Sequence, residues 1–400
     1  MSKIPAQLTK LDELKRMMVD YLRIKGVVAD YNETYNTLVP KILEILQVQG
    51  DLTLGTKTIT KDGDYFPVND GVDAYSSIKV NIMNDNNALI KYDYLSGSTR
   101  YLKITNYGDL PDYAWNTNSK VEEIVLKDCS NIGKYAFNAC DSVNSCTNDS
   151  VIKSIGEYAF NNCSGMVANL VLDDTIEIIP RNCFYNCQDV QLNLPNNLKE
   201  VQDYAFYSCT NLNVNALPEG LEKVGVQSFR GCTNLRIDKL PSSLKTIGSS
   251  AFQICTNVVL KELPPISIPT YAFTNSGVQF NEIPNGCSLG AYAFGYCNRL
   301  TNLIFNHTGI IPNYCFQYCS NLEAIEIGTG VTTINTYAFR NCSKLKTITC
   351  HRTTPPSLFY SSFYNCPIEK IYVPASVLDT YKSATNWSAF ADKMIGIEGE

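Results

Sequence analysis

A hexapeptide close to Tyr-Ala-Phe-x-x-Cys recurs eleven times between Tyr135 and Cys366, and this repetition limits the fold more than any other feature. Successive phenylalanines are 21 to 24 residues apart. Such a unit is too short to be a self-supporting domain, so each must bury its apolar side against the next. The sequence therefore predicts a solenoid, with phenylalanines at 137, 160, 184, 206, 229, 252, 273, 294, 316, 339 and 363.

A degraded copy precedes this series, with Trp115 in the phenylalanine position and Asn118 in the cysteine position. Terminal repeats are commonly atypical because one of their sides faces water. We therefore expect about twelve coils.

Most of the sixteen cysteines occupy one position of the repeat, and Ser276 occupies it in one unit. A free cysteine packs as a compact apolar side chain. We therefore expect reduced core thiols rather than disulfides. Cys183 and Cys315 replace the alanine of the motif, which again indicates a small buried side chain. The ten cysteines in register are 140, 163, 187, 209, 232, 255, 297, 319, 342 and 366.

The clearest unit, residues 321–342, divides into three parts. Residues 321–327 alternate as a half-buried strand does, residues 328–334 contain the glycines of a turn, and residues 335–342 make a tight return. Stacked units would bring the first parts together in one parallel sheet.

The outward positions of these strands form two predicted columns, since alternate residues of a strand point to opposite faces. We expect the columns to contact a ligand, although a solvated strand face without a partner would show the same pattern. The first column contains Asn302, Ala324, Thr347 and Lys370, and the second contains Ile304, Glu326, Thr349 and Tyr372.

Tyrosine is abundant, with 25 residues, and tyrosine gives rigid contact area in binding sites. Those in the first position of the hexapeptide are expected to pack against the repeat: Tyr135, Tyr158, Tyr204, Tyr271, Tyr292 and Tyr337. The tyrosines that remain available for a ligand would be Tyr185, Tyr207, Tyr296, Tyr318, Tyr360 and Tyr364.

The run Leu-Pro-Ser-Ser-Leu-Lys-Thr-Ile-Gly-Ser-Ser-Ala-Phe at 240–252 resembles the BspA-type leucine-rich repeat family. The resemblance covers about residues 109–372. It implies an α+β repeat fold, a curved β-solenoid of about twelve coils used in binding, since known members are mostly surface adhesins and host-contact proteins. Residues 373–400 resemble the short helical cap that closes such arrays.

Residues 1–50 lack the repeat and are predicted to form helices that attach or oligomerise the protein. Ile4, Leu8, Leu11, Met18 and Leu22 form a heptad-like stripe, which would serve an oligomeric coiled coil or packing within the chain equally well. A homotrimer is among the assemblies that such a stripe supports.

Residues 51–108 are predicted to form a small β module, with strands at 57–60, 65–68 and 76–82. The segments at 57–65 and 70–81 resemble a module of tail and baseplate-associated proteins of phages and prophages of gut bacteria. Residues 36–42 also resemble such proteins. The resemblance implies that the N-terminus joins tail or baseplate proteins.

Composition argues against several classes of partner. A net charge of −6 without a basic stripe argues against nucleic acid. The sequence has no apolar run of about 20 residues, so we expect no membrane insertion. Residues 1–26 are charged and amphipathic rather than a secretory signal, so we expect no Sec-dependent export of this chain.

We expect no enzymatic activity, cofactor or metal. The two histidines, His307 and His351, fall in different coils and are expected at the surface or in turns, which leaves little material for a catalytic triad. Asp173 and Asp174 are adjacent, so on a strand they would point to opposite faces and could not flank one glycosidic bond. Cys183 and Cys187 have ligand-like spacing, but both belong to the packing pattern.

The sequence thus predicts a non-enzymatic recognition protein. The leading hypothesis is a phage or prophage tail-associated receptor-binding protein, assembled in the host cytosol and carried on the virion, whose solenoid meets a cell-surface glycan or protein. The alternatives are a bacterial surface or released adhesin of the same repeat family and an inert structural fibre segment.

Overall fold

The computed structural model describes residues 108–117 and 121–398, the strands between residues 52 and 107, and the buried helical residue Val19. The chain divides into two compact units, Met1–Asp109 with Lys120–Cys129 and Leu110–Ser119 with Ser130–Glu400. The predicted N-terminal helices and the oligomerisation stripe Ile4, Leu8, Leu11, Met18 and Leu22 lie outside the described residues.

The first unit contains six described strands. β1 and β2 form an antiparallel pair. β3, β4 and β5 form an antiparallel meander, and β6 pairs with β5 in parallel. β2 and β3 lie where the sequence predicts strands, whereas the predicted strand at 65–68 lies outside the described residues. The six strands are β1 (Leu52–Leu54), β2 (Lys57–Ile59), β3 (Ser77–Met83), β4 (Leu89–Leu95), β5 (Leu102–Tyr107) and β6 (Val121–Lys127).

The second unit is a β-solenoid in which a coil contributes up to two short strands. One series of strands follows the cysteine of the hexapeptide: β8 (Ser145–Asn148), β10 (Val167–Leu170), β12 (Val190–Leu192), β17 (Glu282–Ile283), β19 (Asn302–Phe305), β21 (Ala324–Ile327), β23 (Thr347–Cys350) and β25 (Lys370–Pro374).

A second series of strands precedes the return turn, at residues 331–334 and their equivalents, where the sequence predicts a turn instead. Most of these strands have only two residues and are defined by pairing with the neighbouring coil, as in the register Glu200, Lys223, Thr246. The series contains β7 (Asn131–Ile132), β9 (Ser154–Ile155), β11 (Ile178–Ile179), β13 (Glu200–Val201), β14 (Lys223–Val224), β15 (Thr246–Ile247), β16 (Ser267–Ile268), β18 (Ser288–Leu289), β20 (Gly309–Ile311), β22 (Val331–Ile334) and β24 (Ser357–Leu358).

The first series does not form the continuous sheet that the sequence predicts. β8, β10 and β12 form one parallel stretch, and β17 begins another. Between them, single backbone bonds join successive coils, such as Arg236 N–H to Val214 O at 2.9 Å and Val259 N–H to Ile237 O at 2.8 Å. The apolar residues here are flanked by asparagine and aspartate, which are depleted in strands.

The return turns carry the core of the solenoid. The eleven phenylalanines stack ring on ring from coil to coil, with centroids 5.3 to 5.7 Å apart and planes within 17°. All of them are buried. Parallel stacking at this spacing adds to the free energy of burial, so the column holds neighbouring coils in register.

The ten cysteines of the repeat lie beside this column, and each thiol donates a hydrogen bond to a backbone carbonyl of the preceding coil. The acceptor is the carbonyl of Phe137 for Cys163, and of Trp115 for Cys140; the ten sulfur–oxygen distances are 2.8 to 3.2 Å. All sixteen cysteines are free thiols, and fifteen are buried. The register therefore reflects a repeated link between coils as well as small size.

The segment after β25 contains less helix than predicted. It has one α-helix, α1 (Leu378–Ser383), two 3-10 helices (Ala375–Val377 and Trp387–Lys393) and a strand, β26 (Met394–Ile397). β26 pairs with β25 in parallel, so the expectation of a short helical cap is wrong in this respect. The alternating run Met-Ile-Gly-Ile supplies the strand, and its pairing covers one edge of β25.

Candidate recognition surface

The two predicted columns are real alignments on one six-stranded parallel sheet, formed by β17, β19, β21, β23, β25 and β26. Direct pairing aligns Asn302, Ala324, Thr347 and Lys370 in one row, and Ile304, Glu326, Thr349 and Tyr372 in the other. Asn302 and Lys370 are exposed and the other six residues are half-buried. The intervening side chains, including Leu303, Ile325 and Ile348, point into the core.

The second column is longer than the sequence indicates. Glu282 pairs with Ile304, and Ile395 pairs with Tyr372, so the column extends to six residues on six strands. β17 is only two residues long and β26 lies beyond the repeats, so the spacing of the hexapeptide does not reveal either position. Both added side chains are exposed.

The face also contains a side-chain hydrogen bond between coils. His351, which follows β23, places Nε2 2.9 Å from Oε1 of Glu326. The two columns and His351 together present carboxylate, imidazole, hydroxyl, ammonium and phenol groups. They also include the apolar side chains of Ile304 and Ile395. Such a surface can make many separate contacts to one extended ligand, but no nucleophile on it is paired with a base.

His307 lies in a turn, one of the two places that the sequence predicts, but its side chain is not at the surface. Its side chain is 1% exposed, and Nε2 donates to the carbonyl of Ile310 at 3.2 Å. Nδ1 is buried without a hydrogen-bond partner. Burial lowers the pKa of this imidazole. The sequence cannot show this burial, because the residue lies in a turn between two strands.

The buried thiols are poorly suited to nucleophilic or metal chemistry. Burial raises the pKa of Cys297 to about 11 and that of Cys350 to about 12, so both are protonated at neutral pH. Over the described residues, no group of three or more histidine, cysteine, aspartate or glutamate side chains is arranged to hold a metal ion.

The adjacent carboxylates Asp173 and Asp174 accept hydrogen bonds from nearby backbone N–H groups and side chains. Asp173 accepts bonds from the Thr175 N–H and hydroxyl, and Asp174 accepts bonds from the Asn196 N–H and side-chain amide. These hydrogen bonds lower the pKa of both carboxyls, whereas a general acid of a glycosidase needs a raised pKa.

The tyrosines form ladders along the return turns. Residues in the first position of the hexapeptide stack in two runs, Tyr113 to Tyr158 and Tyr271 to Tyr337, with centroids 4.6 to 5.3 Å apart. Many residues at this position have positive φ, a conformation that is costly for tyrosine, and stacking offsets part of that cost.

Four of the tyrosines that we expected to be available are also stacked. Tyr185 lies against Tyr207 and Tyr296 against Tyr318, each with centroids 4.7 Å apart. Their faces are therefore partly covered, although Tyr296 remains exposed. Tyr360 and Tyr364, on the last return turn, differ because they are exposed outside these ladders.

The comparison with protein families agrees with this architecture. The sequence matches the family described as "BspA type Leucine rich repeat region" in six copies, over residues 94–166, 130–259 and 266–390, which is more than half of the chain. The chain belongs to this family. The BspA-type repeats account for the Phe and Cys ladders and for the coil length.

The matches to solved structures have low sequence identity and low TM-scores. A leucine rich cell surface protein from Faecalibacterium prausnitzii A2-165 is 19% identical, with a TM-score of 0.44, and the match covers 77% of this chain and 97% of that one. A leucine-rich repeat protein from Bacteroides ovatus ATCC 8483 is 22% identical, with a TM-score of 0.39, over 77% and 98% of the two chains. The pneumococcal vaccine antigen PcpA is 13% identical, with a TM-score of 0.30, over 79% and 96%.

No curated protein matches the chain. The comparisons give no support to the resemblance between the N-terminal region and phage tail proteins. Among the described residues, no helix combines the length and apolar character that a membrane span requires.

Proposed function

We propose that this BspA-type repeat protein is a non-enzymatic adhesin, displayed on or released from a bacterial cell, that binds a glycan or protein of a cell surface. The observation that carries the proposal is the unbroken register of two outward columns, one from β19 to β25 and the other from β17 to β26. Family membership supports a recognition role. Nothing found favours the virion hypothesis, so we adopt the alternative.

The mechanism follows from the repeat. Each coil places one or two side chains on the face at a fixed spacing, since adjacent parallel strands lie about 4.8 Å apart. Each contact is weak, because exposed polar groups exchange one hydrogen-bond partner in water for another. Several such contacts on a rigid face add without a further loss of translational freedom, so an extended ligand binds more tightly than its parts.

The test is binding of the fluorescently labelled full chain to bacterial and animal cells. The variants are Thr347→Ala, Thr349→Ala, Lys370→Glu and Tyr372→Ala, all on the proposed face. Thr333→Ala and Ser357→Ala serve as controls, because these residues lie on β22 and β24 of neighbouring coils but in the other sheet.

We expect the four face variants to weaken binding and the two controls to leave it unchanged. Circular dichroism must show that all variants are folded. If the folded face variants bind cells as well as the unaltered chain does, the proposal is contradicted. The hypothesis of an inert structural segment would then be favoured.

A further inference from the structure

The last return turn carries an exposed aromatic group. Phe359, Tyr360 and Tyr364 are 48%, 88% and 54% exposed, and they fall within six residues of the chain. Elsewhere in the second unit most large apolar side chains are buried or stacked. Exposed aromatic side chains close together are typical of binding surfaces, since they offer large contact area at low entropic cost.

A guanidinium group lies beside one of these rings, that of Tyr364, and beside Tyr337 of the preceding return turn. Cζ of Arg340 is 5.0 Å from the ring centroid of Tyr337 and 5.7 Å from that of Tyr364. The two rings are almost perpendicular, with centroids 6.0 Å apart. We call Tyr337, Arg340 and Tyr364 the arginine–tyrosine cluster; the exposed Tyr360 lies on the same return turn as Tyr364.

The positive charge of Arg340 is not neutralised within the described part of the chain. None of the ion pairs there includes Arg340, and its Nε is buried without a hydrogen-bond partner. Arg230 occupies the same position of an earlier repeat and lies over Tyr207, but its Nη1 donates to Oε1 of Gln227 at 3.1 Å. An unpaired guanidinium in an acidic protein is complementary to an anionic ligand.

The cluster offers a planar anion both charge and hydrogen-bond donors. A guanidinium presents parallel N–H donors that match a carboxylate, and flanking rings fix its plane. The exposed tyrosine rings offer apolar faces and phenol groups to an attached ring. The backbone N–H groups of Ser362 and Tyr364 donate within the turn, to the carbonyls of Phe359 and Ser361 at 3.0 and 3.1 Å. The turn is therefore unsuited to the main-chain pairing that many extended peptides use.

We propose that the arginine–tyrosine cluster binds a carboxylate-bearing sugar of an acidic cell-surface polysaccharide. Arg340 holds the carboxylate, and Tyr360 and Tyr364 pack against the sugar ring. The inference rests on the proposed recognition function in one respect, which is that the polysaccharide belongs to a cell surface. It adds a ligand class and a second contact surface, on the return turns rather than on the sheet.

The experiment measures binding of a galacturonic acid oligomer of defined length to the full chain by isothermal titration calorimetry at low ionic strength. A neutral galactose oligomer of the same length is the ligand control. The variants are Arg340→Gln and Tyr360→Ala. The controls at earlier repeats are Arg230→Gln, which matches Arg340 in repeat position, and Tyr207→Ala, the tyrosine that Arg230 lies over. Tyr360 is almost fully exposed, so its truncation leaves folding intact even where changes at Arg340 disturb the turn.

We expect the acidic oligomer to bind more tightly than the neutral one. Arg340→Gln should raise the dissociation constant about tenfold or more, and Tyr360→Ala should raise it severalfold, because a charge-assisted bond and a ring contact are lost. Both control variants should bind normally.

The proposal is overturned if the acidic oligomer does not bind, or if Arg340→Gln and Tyr360→Ala bind it as the unaltered chain does. A glutamate-rich peptide that binds the cluster more tightly than the oligomer would overturn it in favour of a protein ligand. These outcomes are separate from the cell-binding test, in which the cluster is unaltered and the sheet face is changed.

Discussion

At the residue scale, the solenoid depends on side chains that perform one task in every coil. The repeated cysteine fills a small space beside the phenylalanine column and also donates to a carbonyl of the coil before it. A serine can replace it, as Ser276 does, because a hydroxyl is also small and polar.

The thiols should differ sharply in reactivity. Fifteen of the sixteen are buried and Cys366 is half-buried. Only a thiolate reacts quickly, and burial raises the pKa of thiols such as Cys183 and Cys315 well above the usual value. We predict that Ellman's reagent modifies one thiol rapidly in the native protein and all sixteen in denaturant.

Cys366→Ser is the control for this labelling experiment and should remove the rapid phase. Rapid modification of several thiols in the native protein, or a rapid phase that persists in Cys366→Ser, would show that the ladder is not closed to solvent as described.

His307 should make stability depend on pH. Its folded-state pKa lies below the usual value of 6.5 because it is buried, so the unfolded chain binds the proton more readily. The stability contributed by neutral His307 is present above about pH 6.5 and is lost as the pH falls below that value. One proton changes the free energy of unfolding by up to about 1.4 kcal/mol per pH unit.

Denaturant unfolding at pH 7.5 and 5.0 tests this dependence, with His307→Gln as a variant that cannot titrate. We expect the loss of stability on acidification to be smaller in His307→Gln. The carboxyls with lowered pKa, including Asp173 and Glu222, act at lower pH and in both proteins. Equal losses would show that His307 is not the group responsible.

At the element scale, the segment after β25 closes the end of the solenoid through two buried aromatic side chains. Nε1 of Trp387 donates to the carbonyl of Pro356 at 2.8 Å, and the hydroxyl of Tyr381 donates to the carbonyl of Arg352 at 3.0 Å. The two rings meet edge to face at 5.4 Å. The segment therefore fixes the backbone before the last return turn as well as covering β25.

Trp387→Ala should destabilise the protein by about 3 to 5 kcal/mol, because it leaves a large cavity and an unpaired carbonyl. Trp387→Phe keeps most of the apolar volume and should cost less. Thermal unfolding followed by circular dichroism measures both changes, with the exposed Ser388→Ala as control. An unfolding midpoint for Trp387→Ala equal to that of Ser388→Ala would contradict a stabilising role.

At the scale of the whole molecule, the sequence predicts the contacts that repeat with the hexapeptide. The burial of Phe229 and Cys232 and the alignment of Thr347 with Lys370 follow from period and alternation alone. These features depend on side chains one coil apart, so a repeat visible in the sequence specifies them.

Features that depend on pairing between coils were harder to predict. β13 and β14 have two residues each, too few for an alternation to be recognised, and their backbone bonds to neighbours define them. Ile395 joins the second column only because β26 pairs with β25. Arg340 was missed because its distinguishing feature is the lack of a partner, which a sequence does not record.

The most direct test of the account compares Lys370→Glu with Ser357→Glu in cell binding by the full chain. Both changes place a carboxylate at an exposed strand position, but only Lys370 lies on the proposed face. The account predicts that Lys370→Glu raises the apparent dissociation constant about tenfold, equivalent to about 1.4 kcal/mol, and that Ser357→Glu does not change it. Equal binding by both folded variants, at the level of the unaltered chain, would contradict it.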